Sequence, residues 1–292
     1  MDAVIPGLLQ PRPTPERACI VNPASSWPCD RGIQVAELQA VFWDVDGTLA
    51  DTELEGHRPA FNAAFREAGL DWHWDRSLYA ELLAVAGGRQ RMAAYAAMRG
   101  EALGDTRLDQ LRALKQKHYL THSRSGAIAL RPGVARLIAA LQQAGVKQWI
   151  VTSSGAASVH ALLTGVFAAE GHPFAGLISA DDVAAAKPDP APYQLALERS
   201  GVAWDGVVAI EDSEAGLLSA SAAGLRCLLT PSPWEERLHT RLRNDPPAGA
   251  SHPAAFEHLG EAEAPARQWS GPPCPGGVVT LEYLQSLLAD GN

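Results

Sequence analysis

The densest chemistry in the sequence is Asp44-Val45-Asp46-Gly47-Thr48, two carboxylates set two residues apart directly after the apolar run Leu38-Gln-Ala-Val-Phe-Trp43. If that run is a β-strand, side-chain alternation points both acids to one face. They would then meet at the C-terminal end of the strand, where open α/β sheets hold their ligands. Such a pair can supply a nucleophile and a proton donor. Gly47 frees the backbone to turn sharply there. A solvated acidic turn would use the same residues, so the pair alone leaves both readings open.

Three further segments bear on the choice. Trp149-Ile150-Val151 runs into Thr152-Ser153-Ser154-Gly155, which sets hydroxyls and amide donors at a helix start, either an anion seat or a plain cap. Ala186-Lys187-Pro188-Asp189-Pro190 holds a lysine in extended backbone before two prolines, so its ammonium can be aimed. Val207-Val208-Ala209-Ile210 ends in a second acidic pair, Glu211-Asp212. Each segment alone has an ordinary reading as a cap or a solvated loop. Together they do not, because a doubly wound sheet brings all four strand ends to one edge. Asp44, Asp46, Glu211 and Asp212 would crowd four negative charges, and like charges about 4 Å apart repel by a few kcal/mol at an effective dielectric of about 20. A divalent cation and Lys187 would leave one net negative charge and still hold a phosphate. Oxygen donors without His or Cys favour Mg2+ over zinc.

The elements that must position these groups follow from pattern. Beyond Leu130, predicted strands 148–152, 176–179, 206–210 and 226–230 alternate with helices 134–144, 156–166, 190–200 and 214–223. That rhythm predicts an α/β fold, a doubly wound parallel sheet with right-handed crossovers. Between the first strand and this run the pattern is helical. Pro59 sits in a first turn with Gly69 beyond the helix end, Asp75 caps a helix over 77–86, Gly87-Gly88 breaks the chain, and Thr106 to Asp109 reads as a capping box opening a helix to His122. Residues 54–125 are thus a helical domain inserted into a core formed by 37–53 and 126–292. Residues 1–36 carry six prolines and read as a flexible extension. The segment 231–277 carries nine prolines without periodicity and reads as a long loop, disordered or wrapped on the surface, before a terminal helix over 281–288.

Composition narrows the function classes. The 292 residues carry a net charge of −9, so the electrostatic footprint of a nucleic-acid binder is missing. No apolar run approaches the roughly 20 residues needed to span a bilayer, and the N-terminus lacks a secretory pattern. The four cysteines are scattered without a CxxC, which predicts a reducing compartment and no zinc site. The expectation is a cytoplasmic protein, monomeric or weakly homo-oligomeric, whose partner is a small molecule and neither nucleic acid nor membrane.

The motif order Asp-x-Asp-Gly-Thr, Thr/Ser, Lys-Pro and Glu-Asp resembles the haloacid dehalogenase superfamily of phosphohydrolases over about residues 41–230, with the insertion placed as in its helical-cap members. Asp46-Gly-Thr-Leu-Ala-Asp-Thr-Glu53, then Gly56-His57-Arg58, Ala60-Phe61-Asn62 and Gly87-Gly88-Arg89-Gln90-Arg91, is similar to its CbbY-like branch. That branch is associated with hydrolysis of xylulose 1,5-bisphosphate. The resemblance implies Asp44 as nucleophile and Asp46 as acid and base. It implies Mg2+ on Asp44, the Asp46 main-chain carbonyl and Asp212, with Glu211 in or near the shell. Thr152, Ser153, Ser154 and Lys187 would hold the phosphoryl oxygens. Substrate selection would fall to the insertion: Glu53, His57, Gly87, Gly88, Arg89, Gln90, Arg91 and Lys115, with Arg89 and Arg91 gripping a second anionic group. Pro59 and Ser158 depart from the pattern, the first predicting a late or kinked helix start. A sugar phosphomutase similar to β-phosphoglucomutase is the alternative within the fold. A receiver-like phospho-acceptor or a non-catalytic binding module is the alternative outside it.

Overall fold

The computed structural model describes residues 37–85, 87–167, 171–235, 238–240 and 253–289. The predicted extension at 1–36 and residues 241–252 of the proline-rich segment lie outside the described residues. Among the described residues, seven strands make one sheet: β1 (Ala40–Trp43), β2 (Lys147–Val151), β3 (Gly176–Ile178), β4 (Val207–Glu211), β5 (Arg226–Leu229), β6 (Ala254–Phe256) and β7 (Gln268–Ser270). Their order is β3-β2-β1-β4-β5-β6-β7. All pairings are parallel except β6 with β7.

Alternation along the strands divides the apolar residues between two faces. Val41, Trp43, Ile150, Val208 and Ile210 join one cluster with Leu137 and Leu141 of α5 (Val134–Gln143), Leu162 of α6 (Ala156–Phe167) and Leu284 of the terminal helix. Ala40, Phe42, Val151, Val207 and Ala209 join another with Tyr193 and Ala196 of α7 (Ala191–Ser200) and Leu217 and Ala220 of α8 (Glu214–Ala222). Helices on both faces bury the central strands completely, which is why these read as continuous apolar runs.

Between β1 and β2 lie α1 (Arg58–Glu67), α2 (Arg76–Leu82), α3 (Gly88–Met98) and α4 (Asp105–Arg124). They share an apolar cluster of their own, in which Phe61, Phe65, Trp74, Tyr79, Met92 and Leu111 are buried. Asp75 caps α2 as predicted, accepting from the Leu78 amide at 2.9 Å, but the helix ends at Leu82. The capping box is not formed. Gly104 precedes α4 without a side-chain cap, and Asp105 and Asp109 both serve Arg89 instead. A π-helical turn, Glu53–His57, leads into α1. Pro59 has no N–H to offer the Glu55 carbonyl four residues back, and His122 donates Nε2–H to that oxygen at 2.7 Å.

The expectation of a structureless 231–277 is wrong in its described part. β6 pairs with β5 through Leu228 and Leu229, β7 folds back on β6, and α9 (Leu281–Ala289) closes the cluster beneath them. Arginines anchor this extension where prolines supply no donors. Arg136 donates to the carbonyls of Leu259, Gly260 and Val279, and Arg131 to those of Gly47, Thr230, Pro231 and Glu257.

Candidate active site

The four sequence motifs meet at the C-terminal edge of the sheet. Trp43 lies opposite Ile150 and Ile210 in register, so the next residues on neighbouring strands, Asp44 and Glu211, emerge side by side. β1 ends at Trp43. The turn at Val45–Ala50, whose amides return to the Val45 carbonyl, therefore sets the position of Asp46, and strand alternation does not. Gly47 makes that turn at φ +87°, where an added Cβ would overlap the Asp212 carboxylate. Both its backbone and its missing side chain are required.

Lys187 joins the acids. Its Nζ lies 2.8 Å from Asp44 Oδ1, 2.6 Å from Glu211 Oε1 and 2.7 Å from the Val151 carbonyl. Burial pulls this ammonium down, but the two carboxylates outweigh it and hold its pKa above the usual range. Burial pushes Asp44 up to about 7 against the pull of Lys187, with Glu211 and Asp46 adding to the rise. Burial, Asp44 and Glu211 also drive Asp212 well above the carboxylate range, opposed by Arg131 and the Ser232 hydroxyl. Oxygens of Asp44, Glu211 and Asp212 all lie within 4.8 Å of one another. Glu211 Oε2 is buried without a hydrogen-bond partner among the described residues.

Asp46 stands apart from this trio and accepts from the hydroxyls of Thr52 and Ser154, both at 2.5 Å. Thr152 is buried, and its Oγ1 accepts the Ser154 amide at 3.1 Å. Ser153 is exposed. The seat at the start of α6 has fewer free donors than the sequence predicts, since Asp181 takes the Ala156 amide at 2.9 Å.

The insertion contributes a second polar cluster. Tyr79 donates to Glu53 Oε2 at 2.5 Å and accepts from Arg91 Nη1 at 3.0 Å. Lys115 donates to His57 Nδ1 at 2.9 Å and stands 5.1 Å from the ring centres of Phe61 and Tyr119. Burial, with Lys115 and Arg91 nearby, holds His57 well below its usual value, so the ring is neutral and can accept. Lys115 itself is pulled down to about 8 by burial, against Glu53 and Asp46. Burial raises Glu53. Arg89 is not in this cluster; it pairs with Asp105 and Asp109 at 2.5 and 2.9 Å. Gln90 is exposed and folds back against Gly87, while a Cβ on Gly88 would press on the Phe61 ring at 3.0 Å.

Residues 38–224 match the haloacid dehalogenase-like hydrolase family. The chain belongs to that family. Its relatives include CbbY proteins and, at 28% identity, the phosphoglycolate phosphatase of Rhodospirillum rubrum. Protein CbbY of Cupriavidus necator is 45% identical over 202 residues, covering 67% of this chain and 79% of its own. The Rhodobacter capsulatus CbbY is 42% identical, covering 68% and 87%. A crystal structure of a CbbY variant from Rhodobacter sphaeroides in complex with xylulose 1,5-bisphosphate is 38% identical with a TM-score of 0.58, covering 68% of this chain and 88% of its own.

The haloacid dehalogenase-like site also uses residues that the motifs do not announce. Arg131 ties the Gly47 and Thr230 carbonyls together beneath it, Ser232 bonds Asp212, and Tyr193 donates to Glu211. The one sequence signal for Arg131 is its position beside Pro132 and Gly133 at the return from the insertion. The carboxylate trio fits a hard divalent cation on two counts, its oxygen-only donors and the unpartnered Glu211 oxygen. No described helix is long and apolar enough to cross a membrane.

Proposed function

We propose that the chain is a Mg2+-dependent phosphatase acting on a small sugar phosphate through an aspartyl-phosphate, with a pentulose bisphosphate such as xylulose 1,5-bisphosphate as the preferred class. The observation that carries the reading is the buried Lys187 bridging Asp44 and Glu211, with Asp212 in reach of both acids. Asp44 attacks phosphorus in line, so the Asp44–phosphorus bond forms as the bond to the sugar oxygen breaks. Asp46, steadied by Thr52 and Ser154, gives its proton to the departing alkoxide. It then takes one from the water that hydrolyses the acyl phosphate. Asp44, Glu211 and Asp212, with the Asp46 main-chain carbonyl, would hold Mg2+. When bound, it supplies positive charge for the phosphoryl oxygens. Thr152, Ser153 and Lys187 orient those oxygens, while both donors of Ser154 are taken by Asp46 and Thr152.

The bisphosphate reading rests on the CbbY complex with xylulose 1,5-bisphosphate and on the cations of the insertion. Arg91 and Lys115 stand beside Glu53 in one cluster, with Asp46 also acting on Lys115. Arg89 shares the assignment through its place beside Gly87-Gly88, although two aspartates already neutralise it. Residues 54–125 act as a cap that closes over the substrate and excludes water. Phosphate release from a panel of phosphorylated sugars tests the reading. The pentulose bisphosphate should give the highest kcat/KM, and a flat profile across monophosphates and bisphosphates would sink the substrate assignment.

A further inference from the structure

Tyr193 lies outside the four motifs and yet touches two of their charges. It follows Lys187 by six residues, on the first turn of α7. Its ring is fully buried and stacks on Phe42 of β1, with centroids 6.4 Å apart and planes 16° from parallel. Phe42 is two residues before Asp44 and faces the same side, so the strand that presents the candidate nucleophile also seats this ring. The hydroxyl donates to Glu211 Oε1, the oxygen that Lys187 Nζ approaches at 2.6 Å. The ring centre is 5.3 Å from that same Nζ.

Glu211 needs such a partner. It is fully buried, and Lys187 is shared with Asp44 and the Val151 carbonyl. A single shared lysine on a flexible stem leaves the carboxylate free to rotate about its last bond. Two donors on Oε1 fix it, and α8 shapes the other side, since a Cβ on Gly216 would overlap Oε2. We propose that Tyr193 is a positioning residue, whose hydroxyl locks Glu211 in the orientation that keeps its oxygen within reach of Asp44 and Asp212 and keeps Lys187 between the two acids. The inference rests on the reading of Asp44, Glu211 and Asp212 as the cation cradle. It adds to that reading a residue that would touch neither substrate nor cation.

The test uses the full chain as wild type, Tyr193→Phe, Glu211→Gln and the double variant. Mg2+ affinity is measured by calorimetry without substrate, beside thermal unfolding and the kinetics of p-nitrophenyl phosphate hydrolysis. Loss of a hydrogen bond to a charged group predicts a roughly tenfold weaker Mg2+ affinity in Tyr193→Phe. In the Glu211→Gln background the same substitution should change the affinity by less than about twofold, because the group it acts through is gone. A Tyr193→Phe protein that melts earlier but binds Mg2+ as the wild type does would reduce the hydroxyl to a structural role and overturn the inference. So would equal losses in both backgrounds. Phe42→Leu loosens the ring's seat while keeping the hydroxyl and should weaken Mg2+ by a smaller factor; it carries the test if Tyr193→Phe does not fold, and an unchanged affinity there counts against the proposal. A wild-type protein without Mg2+ affinity overturns the cradle reading itself, an outcome distinct from any of these.

Discussion

Asp44 is the residue where burial and chemistry conflict most. Its carboxyl is pushed up to about 7 by burial, so the Mg2+-free protein holds it partly protonated near neutrality. Asp44→Asn keeps the shape and removes a buried charge. It should lower turnover by roughly a thousandfold or more while leaving thermal stability unchanged or raised. Circular dichroism and phosphate release on the same sample check this, and an active variant would remove Asp44 from the nucleophile role. Lys115 gives a second expectation. Burial pulls its pKa down to about 8, so its charge is lost as pH rises through that value. KM for a bisphosphate should climb above about pH 8, and Lys115→Arg, which stays protonated, should flatten that climb. The same pH-dependent climb in both proteins would take Lys115 out of substrate binding.

Among the elements, legibility followed periodicity. The central strands were readable to within a residue or two because they are fully buried, and a run such as Val207–Ile210 has no other use. The Asp75 cap was readable from one side chain and its spacing. β6 and β7 were not. Both lie in the proline-rich stretch without periodicity, and Ala254-Ala255-Phe256 gains strand form from pairing with Leu228 and Leu229. The Thr106–Asp109 box failed because a long-range partner, Arg89, captured its acid. In the site, all four motifs were legible, but Arg131 and Tyr193 were not, since neither residue type nor spacing advertises a hydrogen bond to a group far off in sequence. The α4–α6 contact belongs with them. Gly165 of α6 lies so close to the end of α4 that a Cβ would overlap the Ser123 carbonyl, and Gly126 in turn approaches the Gly165 carbonyl. Gln116 of α4 also donates to Ser158 of α6 at 3.0 Å. Gly165→Ala must push the insertion off the core and should cost about 1–3 kcal/mol in thermal or denaturant unfolding. A melting curve that matches wild type would show that the crossing tolerates separation.

At the scale of the whole molecule, the acidic edge ties stability to protons and, if it is the proposed cation cradle, to metal as well. A group whose folded pKa is raised binds its proton more tightly when folded, so it favours folding less and less as pH rises from the unfolded value to the folded one. Asp44 moves from 3.8 to about 7, and Asp212 shifts in the same direction. The metal-free chain should therefore lose stability from Asp44 as pH rises from about 4 through about 7, and Asp212 adds a loss in the same direction. A divalent cation bound only by the native state adds stability that grows with its concentration over its dissociation constant. Protons compete for the same oxygens, so its effect must be smaller in acid. Thermal unfolding with millimolar Mg2+ and with chelator, at about pH 5 and about pH 7.5, should give a clearly larger rise in Tm at the higher pH. In Asp212→Asn the rise at the higher pH should shrink, because one donor is gone and one charge no longer needs neutralising. If Mg2+ raised Tm equally at both pH values, or equally in the variant, the buried carboxylates would not be where the cation acts, and the link between this sheet edge and metal-dependent hydrolysis would be broken.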